Sequence, residues 1–313
     1  MTVDDMSIRM RPWTGSFLLV EDIIVAGQPL CVVRDDLFPF VGGGSKARKA
    51  VFYERLLRQQ GFDAVVTCGG VQSNHCRAIA LMCARNGWKC HLCVQGTEER
   101  FFAEKGNAQL IRLSGADVEF IRPEQTAVAM DSAMERLAAT GYKPYYCHGG
   151  GHDLPGGQAF VEAVKMLAAQ AEQPDYIFHA SGTGSTQAAI IVGLELAGWG
   201  STSVVGISVA RKQERGRQAV ADFCQLLARH YGLEQDFSSR IIFSTDYLAG
   251  GYEGYSPPME NFLREVMKTT GLMLDTTYSG KAFYGMTDYV KTHGLQGKRL
   301  LFWHTGGLMN IMR

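Results

Sequence analysis

From Lys46 onward the chain alternates short apolar runs with longer segments of helical period, and this restricts the fold more than any other feature. Strands are expected near 64–67, 89–94, 117–121, 145–147, 176–180, 204–209, 240–243 and 299–303. Helices are expected near 47–60, 73–86, 126–140, 157–171, 185–198, 215–231, 258–270 and 279–293. Alternation of this kind predicts an α/β fold, parallel sheets covered by helices on both faces. The first 35 residues read as extended segments instead, with Ile23-Ile24-Val25 and Leu30 to Val33 flanking Gly27-Gln28 as a hairpin. Ligands of open parallel sheets bind beyond the C-terminal strand ends. Thr67 to Ser73, Ala180 to Ser185 and Trp303 to Gly306 all fall there, so the three segments can converge on one site.

The segment from Asp175 to Ile190 carries the first chemical signal. An apolar run leads into Ser181-Gly182-Thr183-Gly184-Ser185-Thr186-Gln187, and that turn opens a helix of small residues. Glycines let the backbone come close to a ligand, and free N–H groups of the first helical turn join the hydroxyls in facing one phosphate. No Gly-Lys-Ser/Thr follows, and the spacing misses the dinucleotide G-x-G-x-x-G. The phosphate belongs to something smaller than ATP or NAD.

Val41-Gly42-Gly43-Gly44-Ser45-Lys46-Ala47-Arg48-Lys49 puts Lys46 after three glycines and at the mouth of a helix. Lys49 reads as an ordinary solvated surface charge. The glycines beside Lys46 allow a planar ligand to approach, and the positive end of the helix dipole disfavours the ammonium over the nucleophilic free amine. A reactive lysine with a site for one phosphate suggests pyridoxal 5'-phosphate. In Thr67-Cys68-Gly69-Gly70-Val71-Gln72-Ser73-Asn74-His75-Cys76-Arg77, Ser73 is placed to cap the helix that follows and Asn74 to enter its first turn. A substrate carboxylate would also find free N–H groups there, beside hydroxyl, amide and imidazole donors.

Together these runs resemble the type II pyridoxal-phosphate enzymes, and within them the aminocyclopropane-carboxylate deaminase and D-cysteine desulfhydrase family. The matching segments are Gly43-Gly44-Ser45-Lys46-Ala47-Arg48-Lys49, Gln72-Ser73-Asn74-His75-Cys76-Arg77, Gly182-Thr183-Gly184-Ser185-Thr186-Gln187, Thr277-Tyr278-Ser279-Gly280-Lys281 and His304-Thr305-Gly306-Gly307. They stand in the family's order from residue 43 to residue 307. The resemblance implies a tryptophan-synthase-β-like fold, two open parallel-sheet domains with the cofactor in the cleft. It implies a small domain over 48–157 inserted into a large cofactor-binding domain of 1–47 and 158–313, and a homodimer. By the same resemblance Lys46 is the Schiff-base lysine, Asn74 contacts the cofactor ring oxygen, and Ser73 and Tyr278 are acid/base candidates over the substrate. Ser181 to Thr186 hold the phosphate. Gln72, Ser73, Asn74, His75 and His152 lie at substrate positions. Tyr252 resembles a second active-site tyrosine, with Tyr255 competing for that role. Lys281 is the rival lysine, although it lacks glycines on both sides.

The cyclopropane-opening members carry glutamate after the site tyrosine and His-Leu-Gly-Gly at the end, where this chain has Ser279 and Thr305. A hydroxyl facing the ring nitrogen leaves it closer to neutral than a carboxylate does, which still suffices to expel a β-leaving group. Ser279 can equally cap the 279–293 helix, and Thr305 can bond to backbone. The expected activity is therefore β-elimination and deamination of a small β-substituted amino acid, D-cysteine or L-cysteate among them, to pyruvate and ammonia. The alternatives are an aminocyclopropane-carboxylate deaminase and a non-catalytic protein that binds pyridoxal phosphate or a phosphometabolite. Three departures from the family's runs stand out: Ser45 replaces asparagine, His152-Asp153 replaces Ser-Asn, and Thr276-Thr277 precedes the tyrosine; the last two touch substrate positions.

With 31 basic and 31 acidic residues, nothing electrostatic points to nucleic acid or an anionic membrane. The polar start Met1-Thr-Val-Asp-Asp is unlike a signal peptide, and a cytoplasmic protein with reduced cysteines is expected. Cys90-His91-Leu92-Cys93 has zinc-like spacing but lies in a strand, where residues three apart face opposite sides of the sheet. Cys147-His148 with His152-Asp153 lacks a second ligand cluster, and no metal is expected.

Overall fold

The structure, a computed structural model, describes residues 13, 15–25 and 27–312. Ten strands are described: β1 (Val20–Val25), β2 (Gln28–Arg34), β3 (Ala64–Gly70), β4 (Lys89–Gln95), β5 (Asp117–Ile121), β6 (Pro144–Tyr146), β7 (Tyr176–Ser181), β8 (Ser203–Ser208), β9 (Ile241–Ser244) and β10 (Leu300–His304). The helices are α1 (Gly44–Gln60), α2 (Asn74–Asn86), α3 (Glu98–Ala103), α4 (Gly106–Leu113), α5 (Thr126–Ala139), α6 (Leu154–Ala168), α7 (Ser185–Leu196), α8 (Gln213–Tyr231), α9 (Pro257–Thr270), α10 (Ser279–Thr292) and α11 (Leu308–Ile311). The chain forms two compact units. One holds Tyr53–Gly149 with the described residues up to Ser16, the other Phe17–Phe52 and Gly150–Arg313. The sequence reading put the divisions at 47/48 and 157/158. The second of those would cut α6, which starts at Leu154 because Asp153 caps it and Pro155 occupies its first turn.

The larger unit is built on a six-stranded sheet of order β1-β2-β10-β7-β8-β9. The expected hairpin is present, with β1 antiparallel to β2 and Val25 opposite Gln28; every other neighbouring pair is parallel. Period-two alternation sorts its side chains. Ile177, Val204, Leu301 and Trp303 join α6, α7 and α8 in one core, whereas Phe178, Val205, Leu300 and Phe302 join α9 and α10 in another. Helix α7 is apolar along most of its length, with every residue from Gln187 to Leu194 buried. Gly193 permits this packing, since a Cβ there would lie 2.9 Å from Val164 Cβ on α6.

The smaller unit has a parallel sheet of order β5-β4-β3-β6. Ala129, Met130 and Ala133 of α5 pack on Val66, Cys68 and Cys93 of this sheet. Helices α3 and α4 were not expected. They are short, and α3 is started by Thr97, whose hydroxyl accepts from the Arg100 N–H at 3.2 Å. No apolar periodicity announces elements of this length. Among the described residues no helix is long and apolar enough to cross a membrane.

The start of α1 is anchored by buried charge. Arg48 Nε donates to Asp35 Oδ1 at 3.0 Å, and Trp303 Nε1 donates to Asp35 Oδ2 at 2.9 Å. Arg48 also donates to Phe17 O at 3.0 Å. Arg48 and Asp35 are only 4% and 1% exposed, so removing one charge strands the other in a dry setting. Arg48→Met is expected to lower stability by about 3–5 kcal/mol in urea unfolding, and a loss below about 1 kcal/mol would show that the pair is dispensable.

Candidate active site

The sequence between β7 and α7 forms the tight turn that its glycines require. Gly184 has φ +94°, a left-handed value that glycine adopts without steric cost, and no side chain caps α7 there. The first N–H groups of α7 are therefore not taken by a cap. Thr183 Oγ1 lies 3.2 Å from Ser185 Oγ, and Thr186 is half-buried in the same turn. Gly182 has open space where a side chain would stand, with Val209 its nearest neighbour at 3.7 Å. Ser181 differs from the rest. It is buried, and its hydroxyl donates to Gln187 Oε1 at 3.1 Å, so it braces the turn from behind.

Two lysines one turn apart on α1 reach toward this loop. Lys46 Nζ donates to Gly150 O at 2.7 Å. Lys49, expected on the surface, is fully buried; its Nζ donates to Ser185 Oγ at 2.8 Å and to Gly151 O at 3.1 Å. The sequence reading missed it because a lysine on a helix is usually solvated, and only the fold turns this face of α1 inward. Gly150, at φ +73°, lets the segments meet: a Cβ there would stand 2.7 Å from Thr183 Cγ2 and 3.6 Å from Lys46 Nζ. His152 follows, its ring tilted against Phe223 at 4.6 Å, beside Asp153, the N-cap of α6.

A second cluster sits where α10 begins. Its cap is the carboxylate of Asp275, which accepts the N–H groups of Thr277 (3.0 Å), Tyr278 (3.0 Å) and Ser279 (2.8 Å). Ser279 is therefore the first helical residue and not the N-cap. Its hydroxyl donates to Asp275 Oδ1 at 2.7 Å and accepts from the Asp275 N–H at 3.1 Å, and the residue has no exposed surface. Burial pushes the Asp275 carboxyl up, against the opposing pull of these hydrogen bonds. Nothing in the sequence marked Asp275, which lies outside the recognised runs.

The strand β10 ties both clusters together. Ser45 N–H donates to Thr305 O at 2.8 Å, and a Cβ on Gly306 would come within 2.6 Å of Gly44 Cα. A Cβ on Gly307 would collide with the Asp275 carboxylate at 2.3 Å. Thr305 thus stands between the start of α1, with Lys46, and the start of α10, and it is half-buried. The preceding His304 accepts from the Gly306 N–H at Nδ1 (3.2 Å), so Nε2 carries the proton and donates to Met273 O at 2.8 Å. Burial holds His304 neutral by lowering its pKa.

Of the two loop tyrosines, Tyr252 is the one in contact with Tyr278. Tyr252 and Tyr278 touch hydroxyl to hydroxyl, their rings edge to face at 5.6 Å, while Tyr255 is 47% exposed. Burial first, and then Tyr252, push the Tyr278 phenol well above its usual range. Lys281 is directed elsewhere. Its Nζ donates to Leu248 O at 3.0 Å and to Gly251 O, tethering the loop that carries Tyr252. Burial lowers its pKa to about 8.

In the smaller unit Ser73 is the N-cap of α2, its Oγ accepting from Cys76 N at 3.1 Å. Gly69 makes room, since a Cβ there would lie 2.5 Å from Ser73 Oγ. Asn74 Oδ1 accepts from Asn107 Nδ2 at 3.0 Å. Gln72 and His75 are occupied internally. Gln72 Nε2 donates to Glu104 Oε2 (2.7 Å) and Lys105 O (2.8 Å), and its Oε1 accepts the Asn107 N–H at 3.0 Å. Thr67 Oγ1 gives its one proton to Cys147 O at 2.8 Å, so His75 Nε2–H donates to Thr67 at 2.9 Å. Both side chains brace the turn that presents Ser73 and Asn74. Asn107, fully buried, was missed because it sits alone at the start of a short helix.

Comparison with known proteins accords with this arrangement. The family described as "Pyridoxal-phosphate dependent enzyme" matches residues 24–306. A D-cysteine desulfhydrase of Klebsiella pneumoniae is 30% identical over 292 residues, 90% of this chain and 87% of that protein. The crystal structure of an ACC deaminase homologue superposes with a TM-score of 0.83 at 30% identity, covering 91% of this chain and 86% of that one. A hydrogen sulfide-producing enzyme of Fusobacterium nucleatum, 16% identical, shares the fold at a TM-score of 0.62, with 93% and 94% of the two chains covered. The chain belongs to the pyridoxal-phosphate-dependent enzymes of type II fold. Its place among them is the aminocyclopropane-carboxylate deaminase and D-cysteine desulfhydrase branch.

His179 on β7 reports on the interior behind the loop from Gly182 to Thr186. It is fully buried, its Nδ1–H donates to Ala180 O at 3.0 Å, and its Nε2 has no partner among the described residues. Burial, with a contribution from Lys49, lowers its pKa from 6.5 to about 4. Between those values the unfolded chain binds the proton and the folded chain does not, so stability is complete above pH 6.5 and falls as pH drops toward 4. The full effect of such a shift is about 3 kcal/mol. His179→Gln should flatten the acid limb of a urea-stability profile by an amount of this order, and an unchanged limb would contradict the assignment.

Proposed function

We propose that this enzyme is a lyase that eliminates the β-substituent of a small amino acid, D-cysteine or L-cysteate among the candidates, and yields pyruvate and ammonia. The observation that carries this reading is the convergence of Lys46, the loop from Gly182 to Thr186 and Thr305 in one unit. The relatives named a D-cysteine desulfhydrase and an ACC deaminase homologue support it.

The residues fit pyridoxal phosphate. Uncapped N–H groups of α7, the hydroxyls of Thr183, Ser185 and Thr186, and the buried Lys49 ammonium at 2.8 Å from Ser185 match a phosphate dianion. Lys46 emerges beside that loop, where the missing side chain of Gly150 leaves space next to its Nζ. When bound, the cofactor supplies an electron sink for the negative charge that develops at Cα.

In this reading Lys46 would hold the cofactor, and its free amine would take the Cα proton; Ser73 is the second candidate for that step. The C–X bond at Cβ then breaks with its electron pair leaving on X. Tyr278, kept protonated by burial, can give its phenolic proton to a departing thiolate, and Tyr252 shares the hydrogen bond and shapes the pocket. The released three-carbon enamine hydrolyses to pyruvate and ammonia. Asn74, held by Asn107, is assigned to the ring oxygen on the family resemblance. A cytoplasmic homodimer belongs to the same reading, on the family resemblance.

Thr305 is the better partner for the ring nitrogen. Ser279 has no exposed surface and exchanges both of its bonds with Asp275, whereas Thr305 is only half-buried. A hydroxyl leaves the ring nitrogen near neutral, enough for a good leaving group and poor for opening a cyclopropane. The purified enzyme should release pyruvate from cysteine-type substrates and little 2-oxobutyrate from 1-aminocyclopropane-1-carboxylate. Efficient ring opening without β-elimination would move the chain to the deaminase activity.

Lys46→Ala is expected to abolish turnover and the visible absorbance of the lysine-bound cofactor, with circular dichroism unchanged. Lys281→Ala should retain that absorbance, because its ammonium serves a loop. The opposite pattern would transfer the role to Lys281.

A further inference from the structure

The C-x2-C spacing of Cys90 and Cys93 fails as a chelate for the reason strand geometry dictates. Cys90 faces Cys83 of α2, whereas Cys93 packs under α5. The same period of two brings different donors together. His91 and Cys93 are two residues apart on β4 and share a face, and Glu119 stands directly opposite Cys93 on the edge strand β5. His91 Nε2 lies 3.2 Å from Glu119 Oε2, and ligand atoms of His91, Cys93 and Glu119 all lie within 4.8 Å of one another.

We propose that His91, Cys93 and Glu119 form a zinc site in the smaller unit, separate from the residues assigned to the reaction. Nitrogen, thiolate and carboxylate donors are the set that zinc favours, and hard cations such as Mg²⁺ gain nothing from a thiolate. Zinc bonds of about 2.0–2.3 Å put tetrahedral ligands roughly 3.3–3.8 Å apart, so small rotamer changes close the three donors on one ion. The burial gradient suits entry from solvent. Cys93 is fully buried, whereas His91 and Glu119 keep 15% and 37% of their side-chain surface. Cys93 binds as thiolate, its proton passing to solvent.

Arg136 of α5 competes for the site, its Nη2 lying 2.7 Å from Glu119 Oε2. The arginine side chain is 55% exposed and can swing away, and an ion pair this exposed is weak. Metal binding therefore exchanges a surface salt bridge for coordination at the same carboxylate oxygen.

The test is a Zn²⁺ titration of the cofactor-loaded enzyme against a chromophoric chelator, paired with Co²⁺ spectroscopy. The wild type should take up one equivalent of Zn²⁺ despite excess Mg²⁺, and Co²⁺ should produce a thiolate charge-transfer band in the near ultraviolet. Cys93→Ser should abolish that band, and Arg136→Ala should tighten binding several-fold. His91→Ala, at a partly exposed position that tolerates truncation, should weaken Zn²⁺ at least tenfold while cofactor content and circular dichroism stay unchanged. Absence of stoichiometric binding, or undiminished binding in both His91→Ala and Cys93→Ser, overturns the proposal.

Discussion

The larger unit depends on one close backbone crossing. Gly44 at the start of α1 and Gly306 after β10 approach so nearly that a Cβ on Gly306 would stand 2.6 Å from Gly44 Cα, and the Ser45 N–H···O=C Thr305 bond locks the contact. Both glycines have positive φ, so neither side chain nor ordinary backbone could replace them without strain. From this crossing follow the position of Lys46, one residue beyond Ser45, and of Thr305 beside it. Asp275 is seated by the same turn, against Gly307.

Buried charge then sharpens what the crossing places roughly. Arg48 and Asp35 pin α1 to Trp303 of β10, and Asp275 gathers three N–H groups at the head of α10. Lys49 brings a positive charge to the back of the loop from Gly182 to Thr186. A charge held in a dry setting tolerates little displacement, because any drift loses hydrogen bonds that water cannot replace. Such groups make a site stiff, and a lyase that must align a Cα proton, its base and a leaving group benefits from stiffness.

The tyrosine pair shows the opposite arrangement. Tyr252 comes from a loop between β9 and α9 that is tethered by Lys281, and it is 39% exposed, while Tyr278 belongs to the well-anchored head of α10. One partner of the hydroxyl contact is fixed and the other is carried by an adjustable loop.

Much was legible in the linear chain. Ile177/Phe178 and Val204/Val205 alternate between two cores as period two requires, and the Gly-rich turn before α7 adopts the left-handed geometry that only glycine takes readily. Lys46, Ser73, Thr183 and Tyr278 stood inside recognisable runs because local backbone constraints write themselves into neighbouring residues. Lys49, Asp275 and Asn107 did not, since each owes its role to partners far away in sequence: Ser185 to Lys49, Gly307 to Asp275, Gln72 to Asn107. Ser279 and Thr305 were equivalent as hydroxyls in the sequence, and only packing separated them, enclosing the first around Asp275 and leaving the second partly open. The sequence by itself determined most of the elements, their α/β order and the chemical kind of the site, because helix period, strand alternation and glycine turns are local properties. Which side chains are buried, paired or accessible was decided by tertiary structure, since burial and hydrogen bonding depend on segments from about thirty to well over a hundred residues apart.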